Sequence, residues 1–150
     1  MSTNICIKTI LEIRKLSRFL DKYSKYLNNN YNITLPQMLS LYEISRHESM
    51  NLTELTRSIN LNNSAITGIV DRLEVKGFVN RVKKDGDRRT IYLEITPAGK
   101  EYTALLTKIL EDDCFIDEKK LGKENTEDIL KALEKITNAL DPEIKKIDIE

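Results

Sequence analysis

The sequence predicts a mainly α-helical chain with one small β-hairpin, and three observations carry that expectation. Apolar residues recur at steps of three and four over most of the 150 residues, as in amphipathic helices. The period falls to two only between Phe78 and Ile95, on either side of Asp85-Gly86-Asp87, as a hairpin requires. Helix-start signals, a Thr or Asn followed three residues on by Gln or Glu, precede two of the apolar runs.

The first run places Ile10, Ile13, Leu16, Leu20, Tyr23 and Leu27 on one stripe, with Phe19 and Tyr26 beside it. Asn28-Asn29-Asn30 is expected to end that helix. Thr34-Leu35-Pro36-Gln37 is a capping box with proline in the first turn, where a missing N–H costs nothing. The helix it opens is expected to bury Met38, Leu39, Leu41, Tyr42 and Ile44. Asn51 and Glu54 then start a short helix with Leu55 and Ile59 inward. Asn60-Leu61-Asn62 breaks the chain, and Asn62 caps a helix whose apolar side is Ile66, Ile69, Val70 and Leu73. Gly77 suits its stop. Two helices joined by about three residues around a buried Leu61 form a helix-turn-helix pattern.

Phe78–Val82 and Ile91–Ile95 are the expected strands of a hairpin with a charged tip. Thr96 and Pro97 fit the N-cap and first position of the next helix, whose apolar face is Tyr102, Leu105, Leu106, Ile109 and Leu110. A last helix carries Ile129, Leu130, Leu133, Ile136 and Leu140, closed by Asp141-Pro142.

Composition excludes several classes. With 40% hydrophobic and 32% charged residues the chain is globular. No apolar run approaches the roughly 18 residues of a membrane span. Lys8 interrupts the opening segment early, so no signal peptide, no membrane partner and a cytoplasmic location are expected. Cys6, Cys114 and the single His47 show no metal-ligand spacing, and neither a metal site nor a disulfide framework is expected. No Ser/His/Asp set and no phosphate-binding glycine loop is present, so neither an enzyme nor a cofactor is expected.

The net charge is zero but unevenly spread. Residues 72–90 hold seven bases (Arg72, Lys76, Arg81, Lys83, Lys84, Arg88, Arg89) against three acids, while residues 111–150 hold thirteen acids against seven bases. A basic middle on a neutral chain fits a protein offering one face to a polyanion. A helix-turn-helix lays its second helix in the major groove, with the N-terminal residues near base edges. Here those are Asn62, Asn63, Ser64, Thr67 and Gly68, followed by Asp71 and Arg72. Asparagine can bond adenine bidentately, and the Thr67 methyl can meet a thymine methyl. The hairpin adds Lys83, Lys84, Arg88 and Arg89, and a narrow minor groove attracts arginine. Double-stranded DNA is the expected partner. The alternative is a protein-protein module with a solvated hairpin, which the basic tip disfavours.

The run Leu61–Arg81 (LNNSAITGIVDRLEVKGFVNR) resembles the recognition helix and first wing strand of the MarR family. Asp85–Arg89 (DGDRR) and Leu93–Gly99 (LEITPAG) are similar to that family's wing signature and the start of its next helix. Asp71-Arg72-Leu73-Glu74, Gly77, Asp87-x-Arg89 and Thr96-x-x-Gly99 together make a specific pattern, and the order of elements matches nearly the whole chain. The resemblance implies a winged helix-turn-helix transcriptional regulator, mainly α with a small β-hairpin wing. Its order would be helix-helix-strand-helix-helix-strand-strand-helix-helix. It implies an N-terminal dimerisation helix over residues 1–30, a DNA-binding domain over 34–98 and C-terminal dimerisation helices over 99–150. It also implies a homodimer, usually a repressor, on a palindromic operator, with recognition helices roughly 34 Å apart.

By the same resemblance, Arg89 matches the wing arginine that enters the minor groove, and Asp87 the acid that holds the wing. Asn62, Ser64, Thr67 and Arg72 fall on the groove-facing side. Gly68 departs from the pattern, where the family often has a larger, frequently basic residue. Many relatives bind a small phenolic or amphipathic effector between the dimer helices and the DNA-binding lobe. Tyr23, Tyr26, Tyr42, Arg46 and His47 are the candidates for such a space, against the blander expectation of core aromatics and solvated charges. Some relatives sense peroxide through a cysteine in the first helix. Cys6 lies about one turn too early for that, between Ile5 and Ile7 with only Lys8 nearby, and an inert thiol is the stronger expectation.

Overall fold

The computed structural model describes residues 3–112, 116–122 and 126–139. The chain divides into two compact units, Met1–Lys108 and Ile109–Glu150. Helix α1 (Thr3–Tyr31) is followed by α2 (Leu35–Ser45), β1 (Met50–Asn51), α3 (Leu52–Ile59), α4 (Asn63–Val75), β2 (Val79–Lys84), β3 (Asp87–Ile95) and α5 (Pro97–Asp112). A four-residue helix α6 (Glu118–Leu121) and α7 (Thr126–Asn138) complete the described part. The short α6 was not expected, so the helix carrying Ile129, Leu130, Leu133 and Ile136 is the seventh among the described residues. Cys114, Leu140 and Asp141-Pro142 lie outside the described residues.

Local signals position the elements as anticipated. At α2 the Gln37 N–H donates to Thr34 Oγ1 and the Thr34 N–H to Gln37 Oε1. At α3 the Glu54 N–H donates to Asn51 Oδ1 at 2.9 Å and the Asn51 N–H to Glu54 Oε2 at 2.8 Å. Each reciprocal pair satisfies two donors that a helix start otherwise leaves unpaired. Asn60 ends α3 in the left-handed region at φ 58°, and Gly77 follows α4 at φ 78°. α1 runs past the expected stop at Asn28–Asn30 and ends at Tyr31.

The sheet is antiparallel in the order β1-β3-β2, with Met50 opposite Leu93 and Val79 opposite Ile95. Its turn is two residues, Asp85-Gly86, shorter than the three expected, and Gly86 takes φ 88°. A register irregularity between Val82 and Lys84 precedes it.

The core gathers Leu41 and Ile44 of α2, Leu55 of α3, Ile66, Val70 and Leu73 of α4, and Val79 and Leu93 of the sheet. Burying each contributes about 1.5–3 kcal/mol. Tyr23, Leu27 and Ile33 join it at the end of α1. Several expected core positions lie elsewhere. Leu39 and Tyr42 are exposed on α2, and Leu61 and Ile59 are only half-buried. The amphipathic stripe of α1 runs beyond the core it meets: from Asn4 to Leu20 every residue but the half-buried Thr9 is exposed. In its own unit, α7 has no buried residue and exposes Leu130, Leu133 and Ile136.

One junction fixes the hairpin to α5. The Thr96 N–H donates to the Phe78 carbonyl at 3.0 Å, and the Thr96 hydroxyl donates to the Gly77 carbonyl at 2.6 Å. The same hydroxyl accepts the Gly99 N–H at 3.0 Å. A Cβ on Gly99 would stand 2.2 Å from the Phe78 carbonyl oxygen and 2.8 Å from Ile95 Cγ1, so only glycine fits. Gly68 is the opposite case: a Cβ there meets nothing within 4 Å.

The two glycines therefore predict opposite shifts in a thermal melt. Gly99→Ala overpacks the junction and is expected to cost about 1–3 kcal/mol. Gly68→Ala is expected to stabilise by about 0.5–1 kcal/mol, because glycine in a helix interior is unfavourable. Equal melting temperatures for the two variants would show that the junction is not close-packed.

Candidate nucleic-acid interface

The exposed face of α4 carries Asn63, Ser64, Thr67, Gly68, Asp71 and Arg72. Asn62 stands just before it as the N-cap. Its Oδ1 accepts the Ala65 N–H at 2.7 Å and the Ser64 hydroxyl at 3.0 Å. That oxygen is committed to the helix start, so the side-chain amide NH2 is the part of Asn62 suited to an outside acceptor. Thr67 is exposed and donates its hydroxyl to the Asn63 carbonyl at 3.1 Å, which leaves the oxygen free to accept. Arg72 is exposed, with no ion pair among the described residues.

The wing is built around Asp87. Its Oδ1 accepts the N–H groups of Arg89 at 3.1 Å and Thr90 at 3.0 Å, and its Oδ2 lies 3.5 Å from the Tyr92 hydroxyl. Hydrogen bonding from the Thr90 side chain first, then from the Thr90 N–H, holds the Asp87 carboxyl below its usual range despite some desolvation. The Arg89 N–H and Tyr92 hydroxyl add to the same effect. This carboxylate folds the strand start so that Arg88 and Arg89 project from the tip, both exposed and without an ion pair among the described residues. Lys83 is exposed as well, while the Lys84 ammonium sits 4.3 Å from the centroid of the Tyr92 ring.

Two of the seven bases in this stretch serve the fold. Lys76 donates to the Asn32 carbonyl, tying the end of α4 to the α1–α2 connection. Desolvation, with Arg72 nearby, lowers its pKa. Arg81 reaches back from β2 to Asp71 and Glu74 of α4, at 2.5 Å and 3.1 Å. The sequence held a usable signal for Arg81: the two-residue strand period puts it on the same side as the buried Val79.

Phe78 stacks on Tyr102 with ring centroids 4.5 Å apart. The Tyr102 hydroxyl donates to the Tyr31 carbonyl, and burial raises its pKa, which keeps it a donor. Neither aromatic pairing nor the Lys76 anchor was foreseen, because partners 24 to 71 positions apart leave no local pattern.

The five residues proposed for an effector space are only partly brought together. Tyr23 is buried and stacked between Phe19 and Tyr26. Tyr42 is exposed with the Arg46 guanidinium carbon 5.6 Å from its ring centroid, and His47 Nδ1 lies 2.8 Å from the Glu43 carbonyl. Arg46 and His47 border an open cleft of about 410 Å3 with Ser45, Glu48, Glu94, Ile95 and Lys100. Tyr23, Tyr26 and Tyr42 are not among its walls. Cys6 is a free, exposed thiol near the start of α1. Among the described residues no group of three His, Cys, Asp or Glu side chains could hold a metal, and no helix is long and apolar enough to cross a membrane.

A helix-turn-helix packed on a three-stranded sheet, with a basic hairpin beside its second helix, defines a winged helix-turn-helix protein. Residues 33–91 match the sequence profile of the MarR family. The chain is 23% identical over 147 residues to the HTH-type transcriptional regulator SarZ of Staphylococcus epidermidis, covering 97% of this chain and 95% of that one. Among solved structures it resembles the transcriptional regulator BldR from Sulfolobus solfataricus, with TM-score 0.77 and 26% identity over 93% of this chain and 100% of that one. A complex of S. aureus MepR with DNA superposes with TM-score 0.77 at 17% identity, covering 87% and 96% of the two chains. NadR in complex with 4-hydroxyphenylacetate superposes with TM-score 0.69 at 21% identity, covering 87% and 92%. The chain thus carries a match to the MarR family model over residues 33–91 and is similar over nearly its whole length to HTH-type transcriptional regulators.

The Asp87 geometry predicts a pH dependence. Its folded pKa lies below the ordinary aspartate value of 3.8, so its contribution to the wing is present above 3.8 and lost as pH falls through the folded pKa. The Arg89 and Thr90 amide proton resonances should titrate together with a midpoint below 3.8. A midpoint at or above that value, followed by NMR, would show that the carboxylate does not hold the wing.

Proposed function

We propose that this regulator binds a palindromic DNA operator as a homodimer and acts as a repressor. The observation that carries this is the wing: Asp87 shapes the start of the strand that presents Arg88 and Arg89, both exposed and without an ion pair among the described residues, on the hairpin that packs against α4 through Arg81. In this reading Arg89, flanked by Arg88, Lys83 and Lys84, enters the minor groove, where negative potential is strongest. Asn63, Ser64, Thr67, Gly68 and Arg72 meet the major groove, and the Asn62 amide meets a phosphate.

Dimerisation is part of the proposal. The stripe Ile10, Ile13, Leu16 and Leu20 on α1 and the stripe Leu130, Leu133 and Ile136 on α7 are exposed in one protomer. Exposed apolar stripes of that kind, each within its own unit, mark interaction sites. Residues 1–30 and 99–150 then supply the interface, and residues 34–98 the DNA-binding domain. Release by a small amphipathic or phenolic effector belongs to the same reading. The exposed rings of Phe19 and Tyr26, stacked on the buried Tyr23, support it, since they lie beside the stripe that a second copy would cover.

The expected outcome in solution is a mass twice the 17.4 kDa of the protomer by light scattering. Binding to an operator selected from random duplexes should fall steeply with salt. Arg89→Ala should weaken it and reduce the slope of log affinity against log salt by about one. A monomer at micromolar concentration would remove the dimer, and a flat titration at low salt would remove DNA binding altogether.

A further inference from the structure

Asp71 stands awkwardly in a DNA-binding face. It lies one turn beyond Thr67 on the exposed side of α4, with Glu74 three residues on. Carboxylates placed there confront a phosphate backbone, and like-charge juxtaposition is costly. The answer comes from the neighbouring strand. Arg81 Nη2 is 2.5 Å from Asp71 Oδ1, and Arg81 Nη1 is 3.1 Å from Glu74 Oε2. The arginine side chain is 24% exposed, against 58% for Asp71 and 43% for Glu74. One planar fork therefore covers both acids from the protein side. Ion pairs this exposed contribute little to stability. The weight of the arrangement falls on the charge of the α4 face.

We infer that Arg81 is a positioning residue for DNA binding, one that masks the Asp71 and Glu74 carboxylates so that α4 can approach phosphates. Arg81 does not itself touch the DNA. The inference rests on the DNA-binding function proposed above, and the test separates the two. The full-length protein is titrated by fluorescence anisotropy with the duplex that the wild type enriches from random sequence. If the wild type enriches none, DNA binding fails first and the role of Arg81 with it. If Arg89→Ala weakens binding, the function stands and Arg81 is tested on its own.

Arg81→Ala is then expected to weaken binding roughly tenfold at low salt. The deficit should shrink as salt rises, because repulsion between exposed charges is screened. Adding Asp71→Asn and Glu74→Gln to Arg81→Ala should return affinity to within about threefold of wild type. A purely structural clamp predicts no such rescue, since neutral amides facing alanine rebuild no clamp. An Arg81→Ala protein that binds like wild type overturns the inference. So does a triple variant as weak as the single one, which would mean that Arg81 touches DNA or holds the wing. Should Arg81→Ala fail to fold, Asp71→Asn/Glu74→Gln with Arg81 intact serves instead. It should bind at least as tightly as wild type with a steeper salt slope, and weaker binding would overturn the inference.

Discussion

The carbonyl of Phe78 is where three elements are held together. It accepts the Thr96 N–H, and the missing Cβ of Gly99 lets α5 come against it. The Thr96 hydroxyl closes the junction by bridging the Gly77 carbonyl and the Gly99 N–H. Backbone groups removed from water must be paired, and here one threonine pairs the end of the α4 turn, the base of the hairpin and the start of α5. The Phe78 ring continues the connection through Tyr102 to the Tyr31 carbonyl at the end of α1. The direction in which the wing projects from α4 follows from this junction, and so does the placing of any contact the wing makes.

Charge on this surface is more selective than a count suggests. Lys76 and Arg81 belong to the basic stretch but are turned to internal partners. Arg72, Lys83, Arg88 and Arg89 remain outward, with Lys84 resting over Tyr92. The acids divide in the same way. Asp87 shapes the wing backbone, while Asp71 and Glu74 are covered by a guanidinium. Both devices let carboxylates sit within a cationic region without opposing it.

What was legible in the sequence was local. The boxes at Thr34 and Asn51, the Asn62 cap, the glycine stop at Gly77 and the hairpin around Gly86 each depend on residues within four positions of one another. Periodicity placed Leu41, Ile44, Leu55, Ile66, Val70 and Leu73 inside correctly. It failed at Leu39 and Tyr42, because an apolar residue on a helix does not say which chain will cover it. The motif Thr96-x-x-Gly99 was visible as a pattern, but its cause, the approach of the Phe78 carbonyl, joins positions 21 apart. The Arg81 pairings escaped for the same reason, although strand alternation pointed them toward α4.

The outward face of α4 has a consequence for how such a protein can change over generations. Its buried side, Ile66, Val70 and Leu73, is fixed by the core, and Asn62 is fixed as a cap. Among the described residues Asn63 and Arg72 show no side-chain hydrogen bond or ion pair, Ser64 has one, to the Asn62 cap oxygen, and Gly68 has open space around it. Substitutions at these positions alter the chemistry displayed while leaving the scaffold intact. Mutational drift can therefore explore new binding preferences here almost independently of stability, with Gly68 the position at which a new side chain even strengthens the helix that carries it.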